Sequence, residues 1–211
     1  MAKYFRWFGL KGELVLTLLL SSLAVIMAAA VRTPDRWACM AAMLFCTGGD
    51  LIIMNFRGVR RYVKHLLPTG ATLFAIGHIC YAFAYALLFY RGGYRFYAQQ
   101  RVNGGLVGGI LILFMCMSIG IITCIGFGRK RMIALVVLYG LILGGNCCMI
   151  LSYAWSAATD RPLAVTAGIG VIVFLLSDIG VMMERLDRKT DWHTFVWWLY
   201  PIGQALMIIS A

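Results

Sequence analysis

Charge is what this chain has least of. Asp, Glu, Lys and Arg together make up 13% of its 211 residues, about half the share usual in soluble globular proteins. With 62% apolar residues and a mean hydropathy of +0.86, a soluble domain is excluded. Apolar runs near the ~20 residues that cross a hydrocarbon core follow one another with only short polar turns between them. The chain therefore reads as all-α, one polytopic transmembrane helical bundle over residues 1–211. Signatures of several chemistries are missing too. No Ser-His-Asp spacing, G-x-S-x-G, H-E-x-x-H or P-loop occurs, which disfavours serine hydrolase, zincin and nucleotide-driven reactions. No cofactor is expected. The seven cysteines all fall in apolar runs without C-x-x-C spacing, so they read as small core residues rather than metal or redox ligands. A net charge of +11 would point to nucleic acid in a soluble protein. Here the basic residues sit in interhelical turns, where membrane lipids with anionic headgroups are the natural counter-ions, and nucleic acid is discounted.

Seven apolar runs are present: Leu14–Ala30, Trp37–Phe56, Thr69–Tyr90, Gly104–Phe127, Met132–Trp155, Pro162–Glu184 and Thr194–Ser210. The first has the layout of a secretory signal, with Ala28-Ala29-Ala30 resembling a small-residue cleavage site. Because every later run is also a span, it reads as a retained helix. Pro68 and Pro162 stand where helices start, and Pro201, inside the last run, removes a backbone hydrogen bond. Gly104, Gly105, Gly108 and Gly109 form interleaved small-xxx-small pairs, so the fourth run reads as packing material. If all seven runs span, 13 basic residues fall on one side, among them Lys3, Arg57, Arg129 and Arg188, and 6 on the other, among them Arg32, Arg91 and Arg161. This predicts a cytoplasmic amino terminus.

Polar residues inside these runs are the informative ones. A charged group at a bilayer centre costs about 2.5–3.5 kcal/mol even on lenient scales, so it is kept only if paired, hydrated or used. Asp50 and Asp178 each lie roughly 9 Å from the cytoplasmic end of their helices at 1.5 Å per residue, and His78, Tyr139 and Tyr200 lie at comparable depth, with Asn146 and Gln204 deeper. Helical phase puts His78, Tyr81 and Tyr85 on one face, Tyr139, Asn146 and Tyr153 on another, and Trp197, Tyr200 and Gln204 on a third. An interior cavity open toward the cytoplasmic leaflet is the simplest model. Blander readings stand beside this one. Trp37, Tyr90, Trp155, Trp192 and Trp198 suit interfacial anchors, Asn146 suits an interhelical hydrogen bond, and His78 suits packing as well as function.

Two carboxyls sharing a low-dielectric site do not both ionise easily, so one keeps its proton and the pair offers an acid and a base. Acid catalysis with water addition fits such a pair. So does proton-coupled transport, with Asp50, Asp178 and His78 as a relay. Two Asp and one His are a weak metal set, and no metal is assigned. An intramembrane aspartyl protease fits less well, because Gly48-Gly49-Asp50 is not Gly-x-Gly-Asp and no Tyr-Asp partner is present.

Four motifs occur in order along the chain: Cys46-Thr47-Gly48-Gly49-Asp50-Leu51-Ile52-Ile53, Phe74-Ala75-Ile76-Gly77-His78-Ile79-Cys80-Tyr81, Phe174-Leu175-Leu176-Ser177-Asp178, and Tyr200 with Gln204. Together they resemble the YhhN-like lysoplasmalogenase family of integral membrane vinyl ether hydrolases. That resemblance implies cleavage of a lysophospholipid, an alkenyl glycerophosphoethanolamine or glycerophosphocholine, to a fatty aldehyde and a glycerophospho-headgroup. It implies Asp50 and Asp178 as the catalytic carboxyls. His78, Tyr81, Tyr139, Asn146, Ser177, Tyr200 and Gln204 would position substrate or water, and Arg57, Arg60, Arg61 or Lys64 would receive the headgroup phosphate. The family commonly carries about eight spans, and this chain shows seven, with an amino-terminal helix of little recognisable pattern.

Overall fold

In a backbone surrounded by hydrocarbon every N–H and C=O must be satisfied within its own segment, which leaves the helix as the economical solution for runs of this composition. The computed structural model describes residues 2–53, 62–63, 65–98, 101–126, 128, 133–158, 161–186 and 193–211. It contains seven helices among them: α1 (Ala2–Val31), α2 (Pro34–Ile53), α3 (Leu66–Arg91), α4 (Gly104–Gly126), α5 (Ile133–Ala157), α6 (Leu163–Leu186) and α7 (His193–Ser210). Between α3 and α4 two short strands, β1 (Tyr97–Ala98) and β2 (Arg101–Val102), pair antiparallel. Five of the helices, α2 to α6, contain stretches long and apolar enough to cross a membrane, whereas the apolar parts of α1 and α7 are shorter, Val15–Val31 and Trp198–Ser210. The molecule is an all-α bundle of an integral membrane protein.

Local chemistry sets where these helices begin. Pro34 opens α2 and Pro68 lies in the first turn of α3, positions where a missing N–H costs nothing. Asn103 caps α4: its Oδ1 accepts from the backbone N–H groups of Gly105 at 2.9 Å and Leu106 at 3.2 Å. α7 runs on through Pro201.

Six helices close a ring in which α1 touches α2, α2 touches α3, α3 touches α5, α5 touches α6, α6 touches α7, and α7 returns to α1. α4 lies outside the ring against α5. Small residues bring sequential helices together. A Cβ on Gly109 would meet the Cys148 backbone at 2.6 Å, and one on Gly203 would meet the Phe174 backbone at 2.8 Å. Backbones this close gain dispersion contact that a bilayer, which offers no hydrophobic driving force between helices, does not otherwise provide. Of the glycines at the start of α4, Gly105 and Gly109 make this seam with α5, while Gly108 faces open space.

The ring interior is filled by large side chains, with Tyr81, Tyr85, Phe89, Ile150, Phe174 and Met207 fully buried. Trp37, Tyr90, Trp155 and Trp198, the expected interfacial anchors, are exposed on the outside of the bundle; Trp192 lies outside the described residues. All seven cysteines are free thiols.

Candidate active site

Gly49 decides how Asp50 is presented. A Cβ on Gly49 would meet the Phe74 ring at 2.8 Å and the Gly70 carbonyl oxygen at 3.2 Å, so this side of α2 is where α3 approaches. Asp50, one residue and about 100° further round the helix, faces inward and is 6% exposed. Its Oδ2 accepts hydrogen bonds from the Tyr200 hydroxyl on α7 at 2.9 Å and from Thr17 on α1 at 3.4 Å. Next to this contact the Ser21 and Thr47 hydroxyls lie 2.6 Å apart, continuing a polar seam between α1 and α2.

Asp178 is approached from the other wall. The Tyr139 hydroxyl on α5 donates to its Oδ2 at 2.7 Å. His78 Nε2 lies 3.2 Å from the Tyr139 oxygen and 3.9 Å from the carboxylate oxygen, so the phenol rather than the imidazole makes the contact. The Asn146 amide nitrogen stands 3.2 Å from His78 Nδ1. Phe174 joins the two halves: its ring meets His78 edge-on with centroids 4.9 Å apart and meets Tyr200 at 5.4 Å. The edge-on contact with His78 holds the two ring planes in a fixed orientation.

Between the two carboxyls a cavity of about 210 Å³ opens at the end of the bundle where α2, α4 and α6 finish and α3, α5 and α7 begin. Asp50, Tyr139, Asp178 and Tyr200 line it. The rest of the described wall is almost wholly apolar and includes Ile53, Leu67, Phe74, Leu135, Leu143 and Val196. No Lys or Arg is among the described residues that line it. In such surroundings the effective dielectric is low, so each hydroxyl aimed at a carboxylate has far more effect than it would in water.

Of the residues expected to position substrate or water, Tyr139 and Tyr200 reach the cavity wall, whereas His78 and Asn146 form a layer behind it. Tyr81 donates to Gln204 Oε1 at 2.5 Å, in a buried pair further along the ring interior. Ser177 is fully buried and does not line the cavity. Its hydroxyl, Asn146 Oδ1 and Gln204 Nε2 have no hydrogen-bond partner among the described residues. The basic residues expected at a headgroup phosphate, Arg57, Arg60, Arg61 and Lys64, lie outside the described residues. Among the described residues no three His, Cys, Asp or Glu side chains gather as a metal site requires.

Two contributors escaped the sequence reading, Thr17 and Ser21. Thr17 and Ser21 stand four apart on one face of α1, beside Ser22 in an apolar run, and nothing in the run marks which of the three hydroxyls reaches another helix. Phe174 stood at the head of the motif that ends in Asp178 but was given no role, because an aromatic in an apolar helix looks like any core residue.

A pair of carboxyls, each met by a tyrosine at the wall of one apolar cavity, can deliver a proton to an apolar ligand and take one from water. Neither the curated proteins nor the solved structures compared with the chain include a match. A family model does: that of the YhhN family matches residues 8–211. Nearly the whole chain is covered, including all four motifs that meet in the ring, and the chain belongs to the YhhN family.

Proposed function

We propose that this protein is a membrane hydrolase that cleaves the vinyl ether bond of lysoplasmalogens. One observation carries the reading: Asp50 and Asp178 line the same apolar cavity, each hydrogen-bonded by a tyrosine from another helix. Vinyl ether hydrolysis asks for this equipment. One aspartate, protonated, gives its proton to the alkene carbon remote from oxygen. The π pair forms the new C–H bond, and the ether oxygen shares its lone pair to make an oxocarbenium ion. The second aspartate, ionised, stabilises that cation and takes a proton from water as the water oxygen bonds to the cationic carbon. The resulting hemiacetal collapses. The second aspartate returns its proton to the glycerol oxygen as the C–O bond breaks, the hemiacetal hydroxyl returns its proton to the first, and aldehyde leaves with both carboxyls restored. The apolar walls suit a single aliphatic tail, and they keep bulk water from the cation. Arg57, Arg60, Arg61 or Lys64, which follow α2 in the sequence, would receive the headgroup phosphate.

The test is to incubate purified protein with a vinyl ether lysolipid and with its saturated alkyl ether counterpart. Aldehyde is expected from the first alone. Release from neither overturns the reading. A cytoplasmic cavity end accompanies this reading, since 13 of the 19 basic residues, Lys3, Arg6 and Lys11 of the amino-terminal segment among them, fall on that side. An Arg129→Cys variant should then react with an impermeant thiol reagent from that side; labelling only from outside reverses the orientation.

A further inference from the structure

The two carboxyls are not served alike. Behind Tyr139 stands a second and a third polar group, His78 and Asn146, fully or almost fully buried and linked to each other. We propose that Asn146 and His78 are positioning residues for Asp178, acting through Tyr139 by a one-way chain in which Asn146 donates to His78, His78 to Tyr139 and Tyr139 to Asp178.

Hydrogen counting fixes the direction. A tyrosine hydroxyl has one hydrogen, and at 2.7 Å it goes to Asp178 Oδ2. The oxygen of Tyr139 is then an acceptor toward His78 Nε2 at 3.2 Å, which places the N–H of a neutral imidazole on Nε2. Nδ1 is left with a lone pair, and an amide nitrogen, which can only donate, faces it at 3.2 Å. Each link requires the next, and only the second amide hydrogen of Asn146 lies outside the chain. Geometry supports the rigid middle of this chain: His78 is held edge-on by Phe174 at 4.9 Å and lies at 72° to the Tyr139 ring. Histidine suits the place because one ring accepts on one side and donates on the other. It passes a donor direction from the buried face of α5 back to the cavity wall.

The catalytic consequence rests on the reading of Asp178 as one of the two working carboxyls. A tyrosine O–H backed by a donor is polarised toward the carboxylate, so negative charge left on Asp178 during turnover meets an already aimed hydrogen. Asp50 receives its hydroxyls from Tyr200 and Thr17 instead, so perturbing His78 should be felt at Asp178 and not at Asp50.

Two measurements test this, the first independent of any activity. Full-length protein in detergent, labelled with 15N at histidine, has three imidazoles; His65→Gln and His193→Gln variants identify the signals of His78 by elimination. The Nε2–H tautomer is expected. The Nδ1–H tautomer or an imidazolium overturns the chain. The second is a double-mutant cycle on kcat with a vinyl ether lysolipid. His78→Phe should lower kcat about ten-fold, the size of a strong pairwise coupling, with little change in KM, and His78→Gln, which keeps an N–H donor, should recover part of it. In a Tyr139→Phe background the His78 effect should vanish, and in a Tyr200→Phe background it should persist. Additive losses with Tyr139→Phe, or equal coupling to both tyrosines, would mean that His78 merely packs. The expected tautomer with no aldehyde from the unaltered protein would support the chain and overturn the hydrolase reading.

Discussion

The two ends of the bundle treat a buried aspartate in opposite ways. At the end where α1 finishes and α2 begins, Asp35 is 3% exposed, accepts from Thr33 at 3.0 Å and is ion-paired with Arg91 at 2.5 Å. Around it the polar groups close on helix ends. Arg36 donates to the Ile208 carbonyl at 2.7 Å, Tyr85 donates to the Met207 carbonyl at 2.7 Å, and Asn103 caps α4 while its amide reaches Ser156 at 2.6 Å. At the other end Asp50 and Asp178 receive tyrosine hydroxyls and share a cavity with apolar walls. A guanidinium fixes a carboxylate in its charged form. A hydroxyl orients it and still allows the proton to come and go, so the hydroxyl-served end is the one suited to chemistry.

Substitutions at the two ends should separate these roles. The largest effect is expected from Asp178→Asn and Asp50→Asn, each lowering aldehyde release by about 10³-fold through loss of an acid or base, with little change in melting temperature. A variant of this kind that retains most of its activity would erase the contrast. Arg91→Ala should do the reverse. It strands the buried Asp35 carboxylate and should destabilise the fold by about 2 kcal/mol, visible in thermal unfolding in detergent, while the folded fraction turns over normally. Ala71→Phe, which fills part of the cavity wall, should cost about ten-fold in kcat/KM for a long-tailed lysolipid, the scale set by a few methylenes of lost pocket, and less for a short-tailed one. Thr17→Val should have the smallest effect, about two- to five-fold in kcat, because a 3.4 Å hydroxyl contact contributes no more than an ordinary net hydrogen bond.

Much of the site was legible because a membrane makes polar residues conspicuous. Asp50, His78, Tyr139, Asp178 and Tyr200 stand out in their runs, and a rise of 1.5 Å per residue sets them at similar depth without any knowledge of packing. Thr17 was not legible in this way. Serine and threonine are tolerated in apolar helices by bonding back to their own carbonyls, as Ser22 does to Leu18 and Thr123 to Ile119, so a hydroxyl that reaches another helix looks no different in sequence. Likewise nothing in the pattern of α4 says that it lies outside the ring, since its apolar composition serves lipid and protein neighbours equally.

Composition and period therefore determined the class of this protein, the number of its helices and the depth at which its carboxyls lie, because backbone satisfaction and the cost of charge in hydrocarbon act on each segment separately. Which helices neighbour one another was decided only in three dimensions. The close approaches at Gly49, between α2 and α3, and at Gly203, between α6 and α7, help set the ring, and the ring brought Tyr139 to Asp178, Tyr200 to Asp50 and His78 behind the wall between them. Hydrogen-bond direction and cavity shape depend on contacts between segments far apart in the chain, and those contacts exist only once the helices have packed.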